Sequence, residues 1–320
     1  MTSPHIVFLD AHTLNPGDLE WDAIRQYGSL TFYDRTSKED VLPRAAGADI
    51  IITNKTVLRE EHFAHLPQLR LVCVAATGYD VVDVAAARRH GVPVCNCAGY
   101  GTRAVAQMVV AHLLEVANRV GHYSALCRNG FWSRQSDFCC WNEPLMELDG
   151  KNLAVVGFGN IGHEVVNLLR PFGMRLHAVT SKKQEELPAD VIKLTLAEAF
   201  ATCNVVSLHC PLTDRNRNMI DAALLATARK GLVLINTARG KLVDDNAIAA
   251  ALCDGRLGAY CCDVLSQEPP AADNLILSAP NAFVTPHVAW ATLEARQRIM
   301  RIIADNIKAY LDGNPINTVN

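Results

Sequence analysis

The chain has 320 residues, of which 50% are hydrophobic and 20% are charged. This composition excludes intrinsic disorder, and the length exceeds one ordinary hydrophobic core, so we expect two domains of about 100–200 residues each. Thirty basic and thirty-three acidic residues give a net charge of −3, which is too near neutral for the positive surface that nucleic acid requires. We therefore expect no nucleic-acid partner.

The sequence predicts neither secretion nor a membrane span. Its N-terminal apolar run, residues 6–9, is shorter than the about 7–15 residues of a signal peptide, and polar side chains interrupt the longest candidate span, residues 104–120. The eleven cysteines are an odd number in a long chain, which favours reduced thiols and a cytoplasmic location. Adjacent pairs such as Cys139 and Cys140 lack zinc-site spacing, so we expect no metal.

Short apolar runs alternate with amphipathic stretches through the first hundred residues, a pattern typical of βαβ units. Helices are predicted at about 18–27, 60–65 and 81–90. The predicted strands are residues 5–9, 30–33, 49–53, 71–75 and 92–95. This series indicates a flavodoxin-like parallel sheet.

A second series follows a long predicted helix at 102–121. Residues 129–149 interrupt the pattern and are interpreted as an excursion between domains, and a final helix is predicted at 292–311. The predicted strands are residues 153–156, 176–179, 205–209, 232–236, 259–262 and 283–285. Six strands in this order indicate a Rossmann domain, and the fold class is therefore α/β with two doubly wound parallel sheets.

A glycine-rich turn follows the strand at 153–156 and leads into a helix. It reads Gly157-Phe158-Gly159-Asn160-Ile161-Gly162. In a G-x-G-x-x-G turn the first glycine allows the tight turn, the second lets the backbone approach a pyrophosphate, and the third lets helix and strand pack closely. The free N–H groups of the helix bind phosphate. We predict a nicotinamide dinucleotide site at these glycines and at Asn160 and Ile161.

No acidic residue stands where an NAD site usually places the Asp or Glu that binds the ribose 2′-OH. Residues 165–184 contain no Asp or Glu, and the end of the second strand reads Thr180-Ser181-Lys182-Lys183. Hydroxyl and ammonium groups suit a 2′-phosphate, so NADP is favoured over NAD. The alternative is that the lysines form a solvated surface turn.

Three later strands are followed by candidate catalytic residues, where ligands bind in open α/β sheets. These are Arg239 after 232–236, Asp263 and Glu268 after 259–262, and His287 after 283–285. Together with the glycine turn and the segments 76–80 and 100–102, they resemble the D-isomer-specific 2-hydroxyacid dehydrogenases over nearly the whole chain. The resemblance is strongest to the glycerate dehydrogenase and hydroxypyruvate/glyoxylate reductase branch.

The resemblance implies a catalytic trio. Arg239 would bind the substrate carboxylate and polarise its 2-oxo group with a planar cationic fork. His287 would exchange a proton with the substrate oxygen, and Glu268 would orient the imidazole and favour its charged form.

The resemblance also implies further contacts, made by residues that could otherwise serve packing alone. Asn54, Thr77 and Gly78 would bind the substrate carboxylate, and Trp290 would border the substrate. The remaining implied cofactor contacts are Thr102, Cys210, Pro211, Thr237, Ala238 and Asp263.

The expected function is reduction of small 2-oxo acids with NAD(P)H, giving D-glycerate or glycolate. Open alternatives are formate or 3-phosphoglycerate dehydrogenase and a non-enzymatic scaffold similar to the C-terminal-binding corepressors. The resemblance implies a discontinuous substrate domain, residues 1–99 and 292–320, and an NAD(P)-binding domain, residues 100–291. The long apolar helix predicts a homodimer.

Overall fold

The computed structural model describes residues 3–320 and divides the chain into two compact units. One unit runs to Gly101 and resumes at Ala291, and the other is Thr102–Trp290. The sequence-based prediction places these divisions at 99/100 and 291/292. Each unit is built on its own parallel sheet with flanking helices, which confirms the predicted fold class.

The first unit holds a five-stranded parallel sheet in the order β2-β1-β3-β4-β5, the flavodoxin-like order. Its strands are β1 His5–Phe8, β2 Ser29–Phe32, β3 Ile50–Thr53, β4 Leu71–Val74 and β5 Val94–Cys95. Its first helices are α1 Asp22–Arg25, α2 Val41–Ala45, α3 Glu60–His65 and α4 Val84–Arg89. Every residue of β3 and β4 is buried, as expected for central parallel strands that are covered on both faces.

The second unit holds a seven-stranded parallel sheet in the order β12-β11-β10-β9-β6-β7-β8. Its strands are β6 Asn152–Val156, β7 Arg175–Val179, β8 Val191–Lys193, β9 Val205–Leu208, β10 Leu232–Asn236, β11 Leu257–Cys262 and β12 Ala282–Val284. Its helices are α5 Thr102–Asn118, α6 Val120–Arg128, α7 Asn160–Leu169, α8 Leu196–Thr202, α9 Ala222–Ala226, α10 Asp245–Cys253 and α11 Leu275–Ser278. The order reverses between β6 and β9, which is where open α/β sheets bind ligands.

Alternate residues of the strands face two separate cores. Val155 packs with residues of α5 and α7 on one face of the sheet. Ala154 and Val156 pack with residues of α8, α9 and α10 on the other. Burial on both faces explains why these strands have continuous apolar sequences.

Three details of the predicted second unit are wrong. Residues 129–149, interpreted as an excursion between domains, lie within the second unit. The helix predicted at 102–121 ends at Asn118, because Arg119 adopts a left-handed φ of 53°, and α6 then starts at Val120. The Arg119 guanidinium donates to Asn281 Oδ1 at 3.1 Å and lies over the Phe283 ring, which holds this break in place. The sheet has a seventh strand, β8, that the sequence pattern misses because only Val191 in it is buried.

The last helix, α12 Leu293–Leu311, belongs to the first unit. Thr292 caps it by accepting a hydrogen bond from the Ala295 N–H, and Ile299, Ile303 and Ile307 form a buried stripe at four-residue spacing. Arg296 binds both carboxylate oxygens of Asp18 at 2.6–2.7 Å. Because Arg296 is nearly buried, this bidentate pair ties the helix to the N-terminal segment.

Candidate active site

The glycine turn has the geometry that each of its three glycines predicts. Gly157 has a φ of 100°, in the left-handed region, and Gly162 lies so close to Gly157 that an added Cβ would meet its carbonyl oxygen at 2.1 Å. No described atom lies within 4 Å of a Cβ built on Gly159. Gly159 also precedes α7 as its N-cap, so the open space adjoins the N–H groups of Asn160 and Ile161. The turn therefore fits a pyrophosphate.

The segment after β7 lies beside the glycine turn. Thr180 Oγ1 accepts from the Lys182 N–H at 3.2 Å, and the Lys182 ammonium lies 5.6 Å from the centroid of the Phe158 ring. Lys193 donates to the Lys182 carbonyl at 2.6 Å. Lys182 is thus placed against the turn that fits the dinucleotide, and Ser181 is exposed next to it.

The chain after β9 forms the other side of the turn. A Cβ on Gly157 would meet the Cys210 N at 2.7 Å, so the backbone before Pro211 is in close contact with the turn. His209 lies within 2.8 Å of Ser207 Oγ through Nε2, and burial lowers the pKa of His209 to about 3. The ring is therefore neutral near pH 7, and Cys210 keeps a protonated thiol because burial raises its pKa.

The loop after β10 presents Arg239. Asn236 is fully buried; its Oδ1 accepts from the Ala238 N–H at 3.1 Å and its Nδ2 donates to the Arg239 carbonyl at 3.0 Å. The amide thereby shapes the turn while the Arg239 side chain stays exposed. Thr237 Oγ1 is buried and has no hydrogen-bond partner within residues 3–320.

His287 and Glu268 form an ion-pair geometry at the neighbouring strand ends. His287 Nδ1 lies 2.7 Å from Glu268 Oε2, and the Leu265 N–H donates to Glu268 Oε1 at 3.0 Å. One carboxylate oxygen therefore orients the ring and the other is fixed by backbone. Because Asn236 pairs with Cys262 and Cys262 pairs with Val284, the loops with Arg239, Glu268 and His287 leave the same edge of the sheet.

Asp263 holds the turn that carries His287. It is only 2% exposed, and its Oδ1 accepts from Thr285 Oγ1 at 2.6 Å and from the Val288 N–H at 2.9 Å, while Oδ2 accepts from the Ala289 N–H at 2.8 Å. His287 has a φ of 55°, which is uncommon outside glycine. The bonds to Asp263 fix the residues on both sides of His287. A nicotinamide carboxamide, the ligand predicted for Asp263, would need the remaining acceptor position on Oδ2.

The predicted substrate residues of the first unit lie on two loops that follow β3 and β4. Asn54 is held by Asp10, which accepts from the N–H groups of Asn54 at 2.8 Å and Thr56 at 2.7 Å, and also from Lys55. Thr77 Oγ1 donates to the Cys97 carbonyl at 3.1 Å. Within the described chain, the N–H groups of Thr77 and Gly78 donate to no backbone acceptor, which suits a carboxylate ligand.

Several residues that position the site were missed by sequence reasoning: Asp10, Asn236, Gly240 and Thr285. Each follows or ends a strand, as Arg239 and His287 do, so their place after strands is the signal that could have found them. Trp290 is half-buried at the end of the second unit, and Thr102 begins α5. Residues 3–320 contain no group of three or more His, Cys, Asp or Glu arranged to hold a metal ion. Over the same residues no helix has the length and apolar character to cross a membrane.

The fold, the glycine turn and the paired His287 and Glu268 are features of a dinucleotide-dependent oxidoreductase. Residues 110–289 match the family model of the D-isomer specific 2-hydroxyacid dehydrogenase NAD binding domain. A hydroxypyruvate reductase of Blautia hydrogenotrophica is 39% identical over 98% of this chain and 99% of its own length. A glycerate dehydrogenase of Methylorubrum extorquens is 36% identical over 98% of both chains.

A solved structure of an acyclic imino acid reductase in complex with NADPH and D-Arg superposes with a TM-score of 0.85. It is 27% identical and covers 99% of this chain and 100% of its own. The chain belongs to the D-isomer-specific 2-hydroxyacid dehydrogenase family, as predicted, and it is an NAD(P)-binding oxidoreductase.

Proposed function

We propose that this chain reduces small 2-oxo acids such as hydroxypyruvate or glyoxylate with NAD(P)H, through Arg239, Glu268 and His287. The observation that carries the proposal is the 2.7 Å contact between His287 and Glu268, at the sheet edge that also presents Arg239 and the glycine turn. The names of the relatives, a hydroxypyruvate reductase and a glycerate dehydrogenase, support the same substrate class.

The cofactor supplies the hydride when it is bound. Gly157, Gly159 and Gly162 with the N–H groups of Asn160 and Ile161 would hold its pyrophosphate, since Gly159 leaves open space beside the helix N-terminus. Further cofactor contacts are proposed for Thr102, Cys210, Pro211, Thr237, Ala238 and Asp263. The Thr237 hydroxyl is buried and has no hydrogen-bond partner among the described residues, which favours this assignment because a buried hydroxyl gains from a partner.

His287 is the proposed proton donor. Its Nδ1 is engaged by Glu268, so Nε2 is the atom that gives a proton to the substrate carbonyl oxygen during reduction and takes it back during oxidation. Glu268 fixes the orientation of the ring through this contact. Arg239 binds the substrate carboxylate through its guanidinium, which stays charged throughout.

The backbone amides of Thr77 and Gly78 and the side chain of Asn54, all in the first unit, are proposed to bind a carboxylate. Their support is the turn held by Asp10 and the amides with no backbone acceptor in the described residues. Trp290, three residues after His287, is proposed to restrict the size of the substrate.

We also propose that NADP is preferred over NAD. Ser181 and Lys182 lie at the end of β7 beside the glycine turn, and no acidic residue occupies residues 165–184. An ammonium group favours a 2′-phosphate.

A homodimer is proposed from the apolar surface of α6 and the segment after it. No residue of α6 is buried, and Phe138 and Trp141 are 89% and 68% exposed. A second copy of this chain would cover such a surface. The eleven free cysteines fit a reducing compartment such as the cytoplasm.

The proposal is tested with a panel of 2-oxo acids and both cofactors on the wild type and three variants. His287→Ala should lower kcat by about 10²–10⁴-fold with cofactor binding unchanged, and Glu268→Gln should move a limb of the pH–rate profile. Arg239→Lys should lower kcat/KM because an ammonium cannot form the bidentate fork. A wild type without turnover, or a His287→Ala variant with normal kcat, contradicts the proposal.

A further inference from the structure

A buried histidine lies behind the turn that carries His287. His112 is on α5, it is 6% exposed, and its Nε2 lies 3.3 Å from Thr285 Oγ1. Thr285 Oγ1 in turn donates to Asp263 Oδ1 at 2.6 Å. Asp263 accepts the N–H groups of Val288 and Ala289, the two residues after His287. A continuous chain of hydrogen bonds thus runs from α5 to the catalytic turn.

The direction of each hydrogen bond follows from the number of protons available. A hydroxyl has one proton, and that of Thr285 goes to the Asp263 carboxylate, which can only accept. Thr285 Oγ1 is therefore the acceptor toward His112, and Nε2 of His112 carries the hydrogen. Burial lowers the pKa of His112 by more than the charge of Asp263 raises it. The ring is therefore neutral near pH 7, with its hydrogen on Nε2.

Packing also limits the positions that this ring can take. Its neighbour Leu113 is fully buried in the core that α5 and α7 form on the sheet, and Cys261 Sγ donates to the His112 carbonyl at 3.9 Å. The imidazole is consequently carried by a helix that packs into the core. Because His112 donates to the Thr285 oxygen, the Thr285 hydroxyl proton is directed to Asp263, and the hydrogen bonds of this carboxylate have one arrangement.

We propose that His112 is a positioning residue for the reaction: through Thr285 it fixes Asp263, and Asp263 fixes the left-handed backbone of His287. The inference rests on the proposed function, because His287 must be the proton donor for its position to affect turnover. His112 itself touches neither substrate nor cofactor in this role. Its effect is expected on kcat, through the position of His287.

The chain of hydrogen bonds is tested by removing and restoring its members. His112→Leu and Thr285→Val should each lower kcat by about three- to tenfold, the loss expected for one hydrogen bond. His112→Gln and Thr285→Ser, which keep a donor and a hydroxyl, should recover most of the activity. The double variant His112→Leu/Thr285→Val should be no slower than the slower single variant, since both act through Asp263.

The control is Leu113→Ala, which removes buried volume from the next residue of the same helix. It should lower the melting temperature and leave kcat unchanged below the melting range. Wild-type kcat in both His112→Leu and Thr285→Val, additive losses in the double variant, or an equal kcat loss in Leu113→Ala would overturn the inference.

A second readout separates this inference from the proposed function. The NMR signal of the His287 ring should shift in His112→Leu and Thr285→Val and stay in place in Leu113→Ala, whether or not the protein turns over a 2-oxo acid. Absence of wild-type turnover together with these shifts would contradict the proposed function and still support the coupling between His112 and His287. Turnover with an unmoved His287 signal would contradict the coupling alone.

Discussion

Gly240 follows Arg239 directly and packs against the loop that leads to Glu268. An added methyl group at this position should disturb both loops. A Cβ on Gly240 would lie 1.9 Å from the Leu265 carbonyl carbon and 2.4 Å from the Ser266 nitrogen. The φ of Gly240 is not in the left-handed region, so an alanine is excluded by contact and not by backbone conformation. Gly240→Ala therefore tests a steric effect.

The size of the disturbance follows from these distances. A contact of 1.9 Å must open to at least 3.4 Å, a shift of about 1.5 Å between backbone segments. Leu265 donates to Glu268 Oε1, so a shift of its backbone removes the bond that fixes the carboxylate beside His287. Misplacement of about 1 Å costs on the order of 10²-fold in rate, and overpacking costs about 1–3 kcal/mol of stability.

The assay compares kcat/KM and melting temperature for Gly240→Ala and a control, Gly258→Ala. A Cβ on Gly258 would meet the Gly231 carbonyl oxygen at 2.7 Å, near the start of β11 and away from the edge that carries the site. Both variants should melt lower, at about 2–4 °C per kcal/mol for a unit of this size, but only Gly240→Ala should lose about 10²-fold in kcat/KM. Normal kcat/KM in a folded Gly240→Ala variant would refute the reasoning.

Three further predictions concern the cofactor turn and its surroundings. Gly159→Ala should weaken NADPH binding with little loss of stability, because its Cβ meets no described atom. Gly162→Ala should instead lower the melting temperature, because its Cβ meets the Gly157 carbonyl oxygen. Equal losses of melting temperature in calorimetry would contradict this difference between the two variants. The kcat/KM should be higher with NADPH than with NADH, and Lys182→Ala should reduce that ratio; a tenfold preference of the wild type for NADH would show that the lysine does not bind the 2′-phosphate. In the folded chain the pKa of His209 is lowered from 6.5 to about 3. Between pH 6.5 and pH 3 the unfolded chain therefore binds a proton at this residue and the folded chain does not, so the free energy of unfolding falls as the pH falls. The loss is about 3 kcal/mol between pH 7 and pH 4, and urea unfolding of His209→Gln should show that much less pH dependence.

The amino-acid sequence determines the local part of this protein. Continuous apolar runs indicate strands that are buried on both faces. The spacing of Gly157, Gly159 and Gly162 after such a run predicts the dinucleotide turn, because each glycine meets a steric requirement set within six residues of chain. The order of the strands places Arg239, Glu268 and His287 at strand ends. The resemblance to a family adds their roles.

Only the tertiary structure shows what holds these residues in place. His112 and Thr285 are 173 residues apart in the sequence, and Asp10 lies 44 residues before Asn54, so no periodicity or spacing relates them. The end of α5 at Arg119 and the edge strand β8 were missed because contacts with Asn281 and pairing with β7, not local apolar pattern, determine them. Contacts of this kind form when the sheet brings its strand ends together, and they are set by packing across the sheet and not by the local sequence.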